Sequence, residues 1–78
     1  MSNSRSKIVE IIAGELEVEQ TIVSGDRSLE ALGITSPNLL EIALAIEDEF
    51  GIEVSDKALA SFRNVDDIIT YVQDREGA

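Results

Sequence analysis

The stretch GITSPNLLEIALAIEDEFGIEV, residues 33–54, decides the fold. Its apolar residues recur at helical spacing, it opens on Ser36-Pro37, and three consecutive acids precede Phe50-Gly51. Ser36 reads as the N-cap and Pro37 as the first helical residue, because a serine oxygen accepts an orphan amide and a helix start does not need proline's missing N–H. Gly51 is the natural stop, since glycine takes the left-handed conformation after a last helical turn without steric cost. The spacing predicts a helix over 36–50.

At about 100° per residue, Leu39, Ile42, Ala43, Ile46 and Phe50 share one sector of this helix and form its core face. Pro37, Leu40 and Leu44 lie on another side, bordered by Glu41, Glu47 and Asp48. Two readings of that side stand open. A neighbouring loop or helix covers it, or it is a docking strip in which apolar anchors are framed by carboxylates that steer a partner. Ser36 also has two readings: a cap and nothing more, or an attachment point for a phosphate ester, which free amides and the helix dipole favour at this end. A catalytic nucleophile fails as a third, because the chain has no histidine and no cysteine and the nearest lysine in sequence is Lys57. The acids lack the spacing and central glycine of an EF-hand loop, so neither a metal site nor an enzyme is expected.

Outward from this helix, Ile8, Val9, Ile11, Ile12 and Leu16 predict a first helix over 4–16, weakened at Gly14. Residues 17–35 form a long connection whose isolated apolar residues, among them Val23, Leu29 and Ile34, should lie over the core. Gly33 closes a short turn at Leu29–Leu32. Ser55 is placed to cap a short helix over 56–61. Asn64 caps a last one over 65–75, with Asp66 and Asp67 complementing the dipole and Val65, Ile68, Ile69 and Val72 forming its stripe. No segment alternates for long enough to make a strand. The fold class is all-α: three main helices and one short one, with a long loop between the first and second, in a single domain over 1–78.

A chain of 78 residues supplies about 3–5 kcal/mol of net stability from one core. With 44% hydrophobic and 28% charged residues it is too apolar for a disordered acidic tail. A net charge of −10 repels nucleic-acid phosphates and anionic lipids and suits partners with basic patches, so nucleic-acid binding is not expected. The absence of cysteine excludes disulfides and thiolate metal sites. No stretch has signal-peptide or membrane-span character, and a cytoplasmic monomer without membrane insertion is the simplest expectation.

LEALGITSPNLLEIALAIEDEFGIEVSDKAL, together with the helix before it and NVDDIITYV after it, resembles the acyl carrier protein family over nearly the whole chain. The resemblance rests on Leu32-Gly33, on Ser36 opening an acidic helix, on the exit from Glu47 to Val54, and on the capped segment from Asn64 to Val72. It implies a four-helix bundle in which Ser36 is esterified by 4′-phosphopantetheine from coenzyme A, the arm then holding acyl groups as thioesters. A phosphopantetheinyl transferase would install the arm, and acyl-transferring or synthase enzymes with basic docking patches would be the other partners. The same carry-over makes Glu41, Leu44, Glu47 and Asp48 partner-facing, and makes Ile46, Ala58, Leu59 and Ile68 the shelter for an acyl chain. Where the family has Asp-Ser-Leu this chain has Thr35-Ser36-Pro37, followed by Asn38. That departure points to a specialised carrier in fatty-acid, lipid or polyketide-type synthesis. An aminoacyl or peptidyl carrier, or an unmodified carrier-like interaction module, is the alternative.

Overall fold

A computed structural model describes residues 4–76 of the chain. Four α-helices follow one another: α1, Ser4–Leu16; α2, Ser36–Phe50; α3, Asp56–Ser61; and α4, Val65–Glu76. A single 3-10 turn, Gln20–Ile22, interrupts the long α1–α2 connection. The described residues thus form the all-helical architecture that the apolar periodicities anticipate.

α1 packs against both α2 and α4, and α3 packs against α2. The core between them is aliphatic. Ile8 and Ile12 of α1, Ile42 and Ile46 of α2, and Val65, Ile68, Ile69 and Val72 of α4 are all buried in one cluster. α3 contributes no fully buried side chain and presents only the half-buried Ala58 and Leu59 to its neighbours. It is therefore the helix held least by apolar burial.

Side-chain caps set three of the helix starts. Ser55 accepts the Ala58 amide at 3.1 Å, and Asn64 accepts the Asp67 amide at 2.9 Å. Asp67 Oδ2 reciprocates by accepting the Asn64 amide at 3.4 Å and also accepts the Arg63 amide at 2.9 Å. α2 departs from expectation. Its N-cap is Thr35, not Ser36: Thr35 Oγ1 accepts the Asn38 amide at 3.3 Å, and Asn38 Oδ1 accepts the Thr35 amide at 3.1 Å. Threonine wins because asparagine stands three residues on and can return the bond, whereas three residues after Ser36 stands Leu39, which cannot. Ser36 becomes the first helical residue, and Pro37 moves to the second, where its missing N–H is still harmless. Gly51 ends α2 at φ 66° with its amide on the Glu47 carbonyl.

The α1–α2 connection is anchored at both levels, side chain and backbone. Val23 and Leu29 are buried, and Gly33 at φ 75° closes the turn that brings the Ile34 amide to the Leu29 carbonyl at 3.0 Å. The α3–α4 junction then pairs with it: Leu29 donates to the Arg63 carbonyl at 2.9 Å, Val65 to that of Arg27 at 3.2 Å, and Asp66 to that of Gly25 at 2.9 Å. A Cβ at Gly25 would meet the Asp66 carboxylate and the Arg5 guanidinium, so a larger residue there would displace that ion pair. These bonds leave Ser28 and Asn64 as an isolated antiparallel bridge. At the far end, buried Ser4 bonds Glu76 and ties the start of α1 to the end of α4.

Candidate functional site at the start of the second helix

The capping pair has a direct consequence for Ser36. Because Thr35 holds the first turn, no cap bond uses the Ser36 hydroxyl, and the residue is exposed. It stands at the positive end of a 15-residue helix whose first turn contains no acid. The amides expected to be free there are largely spent. Pro37 has none, that of Asn38 is held by Thr35 Oγ1, and that of Leu39 by the Thr35 carbonyl at 2.9 Å. A phosphate ester on Ser36 would be favoured by the helix dipole and by the absence of carboxylates from its own first turn, with at most the Ser36 amide as a first-turn donor. Asn38 fixes the site further, since its Nδ2 reaches Glu15 Oε2 at 3.2 Å and so ties the serine turn to the end of α1.

An open groove of about 250 Å³ begins at Ser36 and runs between α2 and α3, lined by Leu39, Leu40, Leu59, Ala60 and Asp56. Behind it lies an apolar seam among α2, α3 and α4 that includes Ile46, Leu59 and Ile68. That seam is shut, with no room for a water molecule. Of the residues expected to shelter an acyl chain, Ile46, Leu59 and Ile68 line the seam, while Ala58 lines neither it nor the groove. Ala58 is half-buried and sits in the first turn of α3, where its amide meets the Ser55 cap.

The off-core strip of α2 is uncovered. Leu40 and Leu44 are 51% and 50% exposed, which removes the reading in which a loop or helix hides them. Pro37, Glu41 and Asp48 are also exposed. Among the described residues only two ion pairs form, Arg5 with Asp66 at 3.2 Å and Lys7 with Glu49 at 3.9 Å, so Glu41 and Asp48 are in neither. Glu47 differs from its neighbours on the strip: it is half-buried, and its Oε2 accepts the Val54 amide at 2.7 Å. This contact holds the chain leaving α2, a structural duty that position on a helical wheel does not reveal. Glu47→Lys is accordingly expected to cost about 1–3 kcal/mol by orphaning that amide. A thermal melt checks this, and an unchanged midpoint would assign Glu47 to the surface alone.

The chain matches the family model described as a phosphopantetheine attachment site over residues 6–72. It is 35% identical over 72 residues to an acyl carrier protein of Solidesulfovibrio magneticus, covering 91% of this chain and 92% of that protein. It is 32% identical over 71 residues to an acyl carrier protein of Rickettsia canadensis, covering 90% of this chain and 83% of that one.

Proposed function

Because the chain belongs to the acyl carrier protein family, whose prosthetic group is covalent 4′-phosphopantetheine, we propose that Ser36 is where this chain carries it. The observation that carries this reading is the division of labour at the helix start: Thr35 caps, and Ser36 is left exposed with a groove beginning at its side chain. When attached, the arm supplies a thiol to which an acyl group is joined. The protein's residues hold that arm's root at a fixed point, exclude carboxylates from the first turn, and offer a groove along α2 and α3. Members of this family carry and do not catalyse. No described helix is long and apolar enough to cross a membrane. The test is arm addition measured by intact mass with phosphopantetheinyl transferase and coenzyme A.

The strip of Pro37, Leu40 and Leu44 with Glu41 and Asp48 is the docking surface in this reading. Two half-exposed leucines supply anchors, and carboxylates outside any ion pair supply the steering field. Glu41→Lys is expected to slow arm transfer or acyl exchange several-fold at low salt, with the difference shrinking as salt is raised, because steering by exposed charge is screened. The melting midpoint should not fall, since the exposed Glu41 side chain holds no backbone group. Equal rates for both proteins at low salt would displace the docking surface from this strip. The Thr35-Ser36-Pro37-Asn38 start presents a transferase with a neutral first turn, which supports a specialised carrier served by dedicated partners.

A further inference from the structure

We infer that Glu15 is a positioning residue for arm transfer: acting through Asn38, it fixes the angle at which the Ser36 hydroxyl is presented. The inference rests on Ser36 being the attachment point and names the residue that orients it. The Asn38 side chain is the link. Its Oδ1 accepts the Thr35 hydroxyl at 2.8 Å and the Thr35 amide at 3.1 Å, while its Nδ2 donates to Glu15 Oε2 at 3.2 Å. These roles cannot be exchanged. An ionised carboxylate only accepts, so Glu15 turns the Nδ2 side of the amide toward α1 and leaves the Oδ1 side for Thr35. Were the amide flipped, the Thr35 amide would face another donor and the capping box would be lost. These bonds close residues 35–38 into one turn that contains Ser36, so the link to Glu15 sets how the serine stands relative to α1.

Glu15 is badly placed for its own helix and well placed for α2. It stands in the last turn of α1, which contains no base, and a carboxylate there opposes the helix dipole. The same carboxylate meets the first turn of α2, where the dipole has the opposite sign and no acid is present. Its support is firm, because Ile12 and Ala13 are buried and the Val18 amide closes on the Ala13 carbonyl at 3.0 Å. The opposite flank of Ser36 borders the open groove and α3, which buries no residue fully, so α1 is the better reference. In arm addition the Ser36 oxygen forms a bond to the pantetheine-side phosphorus of coenzyme A, and the bond from that phosphorus to the adenosine bisphosphate oxygen breaks. The hydroxyl proton passes to a base on the transferase, since this chain has no histidine. Such a displacement needs the attacking and leaving oxygens in line, so a serine turn free to swing slows the transfer without weakening docking.

The test compares the parent chain with Glu15→Ala and Glu15→Gln as substrates of a phosphopantetheinyl transferase at saturating coenzyme A. Glutamine keeps an acceptor oxygen for Asn38 Nδ2 and discards the charge; alanine discards both. Glu15→Ala is expected to lower kcat about tenfold, less than the roughly 100-fold that a full ångström of misplacement costs. KM should stay unchanged, because Leu40, Glu41, Leu44 and Asp48 are still exposed on the docking strip. Glu15→Gln should recover most of the lost rate. A second readout needs no transferase: in heteronuclear NMR the Asn38 side-chain amide protons should move in Glu15→Ala and stay near their parent positions in Glu15→Gln. Thermal melts establish that each variant is folded at the assay temperature, and Glu15→Met, similar in length but without a carboxylate, replaces the alanine variant should that one not fold. The inference is overturned by a folded Glu15→Ala protein with the parent's kcat, or by a loss confined to KM. It is also overturned by a Glu15→Gln protein as slow as the alanine variant, which would make charge and not the acceptor the cause. A wrong assignment of Ser36 shows differently, as no arm addition to the parent chain itself.

Discussion

Ser36→Ala is expected to abolish arm addition completely and leave the melting midpoint within about 1 °C of the parent, while Thr35→Ala does the reverse. The two residues are adjacent, both are small hydroxyl side chains, and both stand where a helix begins, so sequence position alone gives them equal claims. Geometry separates them. Thr35 Oγ1 receives the Asn38 amide, so truncating it leaves that first-turn amide without its side-chain acceptor, while the Thr35 amide keeps its bond to Asn38 Oδ1. A lost cap of this type costs about 1 kcal/mol. In a domain of this size that is a fall of about 4–8 °C in the midpoint. Ser36 holds no backbone group at the cap, and alanine is a good helix former in the first turn, so its removal subtracts only the hydroxyl. Intact mass after incubation with transferase and coenzyme A, beside a thermal melt of each variant, decides the matter. A Ser36→Ala protein that melts as low as Thr35→Ala would make Ser36 the true cap, and one that still gains the arm would move the attachment point.

How far the residues alone could be read depends on whether each signal is local. Ser55 and Asn64 were legible as caps because a cap and its target amide lie within one turn. The same holds for Gly51 and Gly33, whose left-handed backbone follows from a glycine after an apolar run. At α2 the cap lies one residue earlier than Ser36-Pro37 suggests, because Asn38, three residues after Thr35, can return the bond. Leu40 and Leu44 were visible as off-core from periodicity, but their exposure was not, since a 19-residue connection stood ready to cover them and instead turns toward the α3–α4 junction. That turn was unreadable in principle from patterns of alternation. It rests on three backbone bonds between segments over thirty residues apart. α1 ends at Leu16, where the apolar spacing places its end, but the manner of its closure carries no sequence signal: Glu17 takes φ 57° without being glycine, and the Val18 amide closes on the Ala13 carbonyl at 3.0 Å.

Ile12→Ala is expected to leave much of the protein unfolded at room temperature. Ile12 is fully buried on the face of α1 that joins α2 and α4, and belongs to the same cluster as Ile8, Ile42 and Val72. Truncating a buried isoleucine to alanine costs about 2–5 kcal/mol, the larger values where the surroundings cannot collapse into the space. A single core of this size offers about 3–5 kcal/mol in all, so one cavity consumes most of the margin. Isoleucine and valine neighbours, stiff at χ1, have little freedom to refill it. Self-repulsion from a net charge of −10 narrows the margin further at low ionic strength, and salt should restore part of the helical signal. Far-UV circular dichroism against temperature and salt reads both effects, with Val9→Ala, on a half-buried neighbour, as the milder comparison. A cooperative Ile12→Ala transition within a few degrees of the parent would mean that α1 is not packed as described. The result also bears on the serine. Core loss would itself reduce arm addition by removing the helix start that presents Ser36, so absent modification identifies the attachment residue only in a variant that keeps its fold, as Ser36→Ala should.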